Sequence, residues 1–319
     1  MRDRGIAAEA IDSFSHYFEQ ARSGATGIIR EADIAPLLEP DSLAGVQIDA
    51  DAARAALAKT VLIKLNGGLG TSMGLDKAKS LLSVRDGKTF LDIQVAQARA
   101  ARRAYGVRLP LIFMDSFRTQ DDTLAHLARY DDLVVDGLPL DFVQNAEPKI
   151  HAETFEPIDW PAEPELEWCP PGHGDVYVAL QASGLLDRLL AAGFRYASLA
   201  NGDNLGAGPN ATLAGWFAAS GAPYAAEVCL RTPNDRKGGH LAIRRSDSQL
   251  ILRDTAQTAP EEMDFFTDEH RHPYFHANNL WIDLEALAAR FATHGAVQIG
   301  RAHGLNSSHS LPPRMPSSA

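Results

Sequence analysis

The densest chemistry in the chain is the run Leu65-Asn66-Gly67-Gly68-Leu69-Gly70-Thr71-Ser72-Met73-Gly74, which follows the apolar stretch TVLIKL. Its four glycines remove Cβ atoms where a backbone must approach a ligand. They also permit the positive φ values that turn successive N–H groups inward. Such a loop can cradle a triphosphate. The spacing is not G-x-G-x-x-G, which argues against a dinucleotide site, and no G-x-x-x-x-G-K-[ST] fits because Ala78 rather than glycine precedes Lys79-Ser80. Lys79 stands where an ammonium could reach phosphate oxygens, although a lone lysine is usually a solvated charge.

Three further segments carry candidate groups. Asn201-Gly202-Asp203 closes the run YASLA; the alternation that buries Leu199 places this polar end at the ligand-facing edge of a sheet. A carboxylate there suits a hard, oxygen-seeking cation that bridges phosphates, and the same composition also reads as a turn. In Pro170-Pro171-Gly172-His173-Gly174-Asp175 the histidine lies between two glycines with little cover, and its ionisation near neutral pH would let it donate to a phosphate. Asn278 and Asn279 are adjacent, so on a regular strand they point to opposite faces and only one lines a pocket.

The elements that must hold these groups alternate. From Lys59 the predicted order is strand TVLIKL, helix LDIQVAQARAARRAYG, strand PLIFMDS, helix TQDDTLAHLARY and strand LDFVQN. It continues with a helix over DVYVALQASGLLDRLLAAG, strand YASLANGD, helix ATLAGWFAASG, strand PYAAEVCLR, a hairpin over HLAIRRSDSQLILRD and strand YFHANNLWIDL. That is the pattern of an α/β, mainly parallel sheet flanked by helices. Residues 1–58 read as an N-terminal helical extension, with Ile11, Phe14 and Phe18 at helical spacing, and residues 59–297 as the catalytic domain. Residues 298–319, rich in Ser, Pro, His and Arg, read as a non-native or disordered tail.

Composition narrows the function. A net charge of −11 disfavours nucleic acid, which rewards clustered cations, but leaves room for a small phosphorylated ligand. Two cysteines without C-x-x-C spacing indicate neither a disulfide framework nor a zinc site. With no signal-peptide core and no stretch of roughly 20 apolar residues, the expectation is a cytoplasmic protein without a membrane partner.

The blocks LNGGLGTSMG, AKS, PPGHGD, ANGDNLGA, KGG and ANNLW, in this order over roughly residues 60 to 285, resemble the eukaryotic-type UDP-glucose pyrophosphorylases. The resemblance implies a GT-A-like, Rossmann-type nucleotidyltransferase core that makes UDP-glucose and pyrophosphate from UTP and glucose 1-phosphate with Mg2+. It implies that Leu65, Asn66, Gly67 and Gly68 cradle UTP, that Lys79 contacts its phosphates, that Gln144 reads uracil and that Gly172 approaches the base. His173, Asn201, Gly202, Gly239 and Asn278 then fall on the glucose 1-phosphate side, with Gly67 and Gly68 nearby, and Asp203 becomes the Mg2+ ligand. Lys79, Asp203 and His173 are the implied catalytic set. The family pattern has proline where Ala78 stands. Its further lysine and its C-terminal β-helix domain have no match, so the chain reads as C-terminally truncated. UDP-N-acetylhexosamine and broad-specificity UDP-sugar pyrophosphorylases, and an inactive UTP-binding fragment, stay open; Asn66 and Ser72-Met73 favour the glucose enzyme over the hexosamine one.

Overall fold

A computed structural model of the chain describes residues 1–69, 77–236 and 238–296. Gly70 to Gly74 of the glycine-rich loop, Lys237 and the 298–319 tail lie outside the described residues.

The helices are α1 (Ala8–Arg22), α2 (Ala50–Ala58), α3 (Phe90–Tyr105), α4 (Gln120–Leu127), α5 (Val176–Ala182), α6 (Leu185–Ala191), α7 (Ala211–Ser220), α8 (Met263–Thr267) and α9 (Leu284–His294). The strands are β1 (Ile34–Pro36), β2 (Thr60–Leu65), β3 (Ser83–Arg85), β4 (Lys88–Thr89), β5 (Leu111–Asp115), β6 (Asp141–Val143), β7 (Glu147–Pro148), β8 (Trp168–Cys169), β9 (Tyr196–Asn201), β10 (Tyr224–Leu230), β11 (Gly239–Arg244), β12 (Leu250–Asp254) and β13 (Tyr274–Asp283).

Among the described residues the main sheet runs β1-β11-β13-β9-β2-β5-β6, with β10 beside β13 and β12 beside β11. Strands β9, β2, β5 and β6 are parallel, and β13 joins β9 antiparallel. The expected α/β architecture therefore stands, with an antiparallel wing added to its parallel centre. Every residue of β2 is buried, as a strand covered on both faces requires. Val61, Ile63 and Leu65 pack with α5 and α6, while Leu62 packs with α2, α3 and α7 on the other face.

Local signals explain the helix ends. Thr89 and Asp92 form a capping box at the start of α3, and left-handed Gly106 ends it. The single helix expected over 175–193 is two: Gly184, at φ 68°, breaks it between α5 and α6. Residues 1–58 also do more than form helix. β1 extends the sheet by pairing with β11, and Leu57 of α2 is fully buried in the core.

Chain order creates a switch point. From β2 the chain moves outward to β5 and β6, then returns to place β9 on the opposite side of β2. In open parallel sheets the crevice beyond the carboxyl ends at such a point is where ligands bind. The glycine-rich loop leaves β2 there, and Asn201 to Asp203 leaves β9 beside it.

Candidate active site

The two segments are bonded together at the switch point. The Gly202 N–H donates to the Leu65 carbonyl at 2.8 Å, and a Cβ at Gly202 would lie 2.9 Å from that oxygen and 3.1 Å from Asn66 Oδ1. Only glycine fits so close an approach.

Asn66 turns its side chain inward. Its Nδ2 donates to Asp115 Oδ1 at 2.6 Å and to Thr123 Oγ1 at 2.9 Å, and Thr119 and Thr123 hydroxyls also donate to Asp115 Oδ1. Asp115 is fully buried, and that burial pushes its carboxyl up to about 7 against the bonds from Asn66 and Thr123. The side-chain amide nitrogen of Asn66 is thereby engaged in holding the loop. The Gly68 carbonyl accepts from Lys79 N at 3.1 Å, which closes the loop on itself.

Gly67 and Gln144 form a second contact of this kind. A Cβ at Gly67 would lie 1.9 Å from Gln144 Nε2, so any larger residue there would have to displace that buried side chain. Gln144 is 5% exposed, its N–H donates to the Asp115 carbonyl, and its Oε1 has no hydrogen-bond partner among the described residues. A buried acceptor left without a donor costs about 1–3 kcal/mol and is ready for one that a ligand brings. The next residue, Asn145, donates through N and Nδ2 to Asp175 at 2.6 and 2.8 Å. That clasp ties the end of β6 to the loop of Gly172 and His173. Burial pushes Asp175 to about 7, and burial together with Asp175 pushes Glu147 to about 8. Gly172, at φ 104°, starts the turn that carries His173.

On the other side Lys79 Nζ and Asp203 Oδ2 are 2.5 Å apart, with 41% and 33% of their side chains exposed. Asn278 Nδ2 donates to Asn201 Oδ1 at 2.7 Å and meets His173 Nδ1 at 3.0 Å, so this nitrogen of the imidazole is the acceptor. Asn278 has φ 54°, at an irregularity where β13 leaves its regular register with β10: Asn279 pairs Glu227 and His276 pairs Val228. That kink overrides the alternation expected of adjacent asparagines. Asn279 Oδ1 accepts from Asn204 Nδ2 at 3.1 Å, so both asparagines hold the segment that leaves β9.

The residues thus separate into those brought together and those that are not. Leu65, Asn66, Gly67, Gly68 and Gln144 meet on one side of the crevice, and Lys79, Asp203, Asn201, His173 and Asn278 on the other. Gly239 has a packing reason of its own, since a Cβ there would lie 2.7 Å from Leu252 Cδ1. Sequence reasoning passed over Asp115, Asn145 and Asp175. It also passed over Lys64, whose signal was readable: a lysine inside the apolar run VLIKL.

Among the described residues no three His, Cys, Asp or Glu side chains gather to hold a metal ion. Asp203 alone still fits Mg2+, which characteristically takes one or two protein carboxylates and completes its shell with phosphates and water.

The family model for UTP--glucose-1-phosphate uridylyltransferase matches residues 11–302. A UTP--glucose-1-phosphate uridylyltransferase of Hordeum vulgare is 39% identical over 248 residues, covering 77% of this chain and 52% of that protein. A UDP-glucose phosphorylase from Trypanosoma brucei superposes with TM-score 0.87 at 38% identity, covering 93% of this chain and 64% of the other. A UDP-glucose pyrophosphorylase from Leishmania major in complex with UDP-glucose gives 0.85 at 39%, with the same coverage. The chain spans about half the length of the curated relatives it matches. The match over most of the chain, with the loop, turn and clasp described above, shows that the chain belongs to the UTP--glucose-1-phosphate uridylyltransferase family.

Proposed function

We propose that this chain binds UTP and glucose 1-phosphate and supports uridylyl transfer between them, giving UDP-glucose and pyrophosphate. The observation that carries the reading is a crevice at one switch point with a buried Gln144 amide oxygen, unpartnered among the described residues, on one side and the half-buried pair Lys79 and Asp203 on the other.

In this reading an oxygen of the sugar phosphate attacks the α-phosphorus of UTP; the new P–O bond forms as the bond to pyrophosphate breaks. Gln144 Oε1 accepts the N3–H of uracil, and Gly67, which has no Cβ to collide with Gln144, lets the base come close. The loop N–H groups and Lys79 oppose the charge of the phosphates. His173, held by Asn278, and Asn201 face the glucose 1-phosphate, with Gly202 beside them; Gly239, packed against Leu252, keeps its sugar-side role only by resemblance. Asp203 would hold Mg2+, which neutralises phosphate charge when bound. Because both reactants are anions, acceleration rests on positioning and on positive charge placed beforehand. Residues 59–297 form the transferase unit, residues 1–58 its extension, and the setting is a reducing cytoplasm.

Calorimetric titration of the chain with UTP, and with ATP as control, tests this. UTP binding at least about tenfold tighter, a difference of about 1.4 kcal/mol, is the expected result. A folded protein that prefers neither nucleotide would overturn the uridylyl reading.

A further inference from the structure

The turn that carries Asp203 is built from residues with little conformational preference of their own: Asn201, Gly202, Asp203, Asn204, Leu205, Gly206 and Ala207. A segment rich in Gly and Asn samples many backbone states unless something else selects one. Here three of its carbonyls are taken from beneath by side chains of β2 and α3. Gln94 Nε2 donates to Gly202 O at 2.5 Å, Gln97 Nε2 to Leu205 O at 2.8 Å and Lys64 Nζ to Ala207 O at 2.6 Å. Gln94 and Gln97 lie three apart on α3, as one helix face requires.

Lys64 is the unusual member. It is 4% exposed, on the face of β2 opposite the neighbours Ile63 and Leu65, and it pairs in register with Ala200, three residues before Asp203. The bond to a carbonyl does not by itself require a charge, since two glutamines make the same bond to neighbouring carbonyls. Burying an ammonium is costly, and a buried charge is ordinarily paired. Glu227, the counter-charge on β10, accepts from Trp281 Nε1 at 3.0 Å. Burial lowers Lys64 to about 8, with Glu227 pulling the other way.

We propose that Lys64, with Gln94 and Gln97 beside it, is a positioning residue that fixes the turn so that the Asp203 carboxylate is set for a divalent cation. The proposal rests on the reading of Asp203 given above. A lysine that merely stabilised the sheet through Glu227 would change melting without changing how UTP binding responds to Mg2+.

The test is UTP affinity of the whole chain measured over a Mg2+ series and in EDTA, for wild type, Lys64→Met, Gln94→Leu, Gln97→Ala and Asp203→Ala, with thermal melts alongside. Lys64→Met is expected to raise the Mg2+ concentration for half-maximal effect about tenfold, and affinity in EDTA stays within about twofold. An unchanged Mg2+ midpoint, or equal losses with and without Mg2+, would overturn the proposal and leave the Asp203 reading standing. If Lys64→Met gives no cooperative melt, the glutamine variants decide: midpoints raised at least about threefold support the proposal, and unchanged midpoints overturn it. A wild type whose UTP affinity ignores Mg2+, matched by Asp203→Ala, would overturn the Asp203 reading and this proposal together.

Discussion

The two banks of the crevice are built on opposite physical plans. On the Gln144 side Asn66, Asp115, Thr119, Thr123 and Gln144 are all at most 5% exposed and bonded to one another. On the opposite side Lys79 and Asp203 face each other across 2.5 Å with about a third or more of each side chain in solvent. In the dry bank a misplaced polar group is expensive, because water cannot replace a lost partner. In the wet bank partners can be exchanged cheaply, since an exposed ion pair is worth about 0–1 kcal/mol. The contrast matches what each bank would meet: a rigid, neutral base edge on one side, and phosphates with a cation on the other. In the function proposed above, Lys79 and Asp203 would give up their pairing to phosphate and cation.

Three substitutions break or sharpen that contrast. Asp203→Ala should have the largest effect on function and the smallest on folding: the Mg2+-dependent part of UTP binding disappears, and urea melts shift by no more than about 0.5 kcal/mol. A stability loss of several kcal/mol would show instead that the wet bank is structural. Asn66→Ala should do the reverse, costing about 2–3 kcal/mol in the same melts because Asp115 loses its closest donor inside the protein. A near-neutral result there would mean that the network around Asp115 is not what holds the loop.

The third is a pH measurement. Because burial raises Asp115 to about 7, the folded protein keeps a proton that the unfolded chain releases near pH 4. Stability from this group is therefore full below about pH 4 and is lost as pH rises toward 7. Asp115→Asn removes that dependence. The difference between wild-type and variant stability curves should fall by about 4 kcal/mol between pH 4 and pH 8, since each tenfold change in proton affinity between about 4 and about 7 is linked to about 1.4 kcal/mol. A flat difference would show that Asp115 is ionised in the fold.

Much of this was legible in the chain. The β2 and β9 runs, the capped helices and the glycine-rich loop are local patterns, and period and punctuation reveal them without a neighbour. The resemblance blocks also contain several of the residues that gather at the crevice, although Gly239 of the KGG block packs elsewhere, against Leu252. What stayed hidden depended on partners distant in sequence. The long helix over 175–193 was read as one because periodicity continues across Gly184, and β1 was missed because three residues carry no periodic signal. Asp115 reads as one more residue of the run PLIFMDS, since nothing local says that Asn66, 49 positions earlier, bonds its carboxylate.

The residue types and their order by themselves determined the sheet, the loop and the chemistry the loop could perform. Only the tertiary structure decided which polar groups are dry and which are wet. It also decided that a kink at Asn278 brings two adjacent asparagines to one turn, and that Lys64 bonds the Ala207 carbonyl in the segment that carries Asp203. The physical reason is that burial, and with it the cost of a lost partner or of a charge, belongs to the packed whole and not to any segment of it.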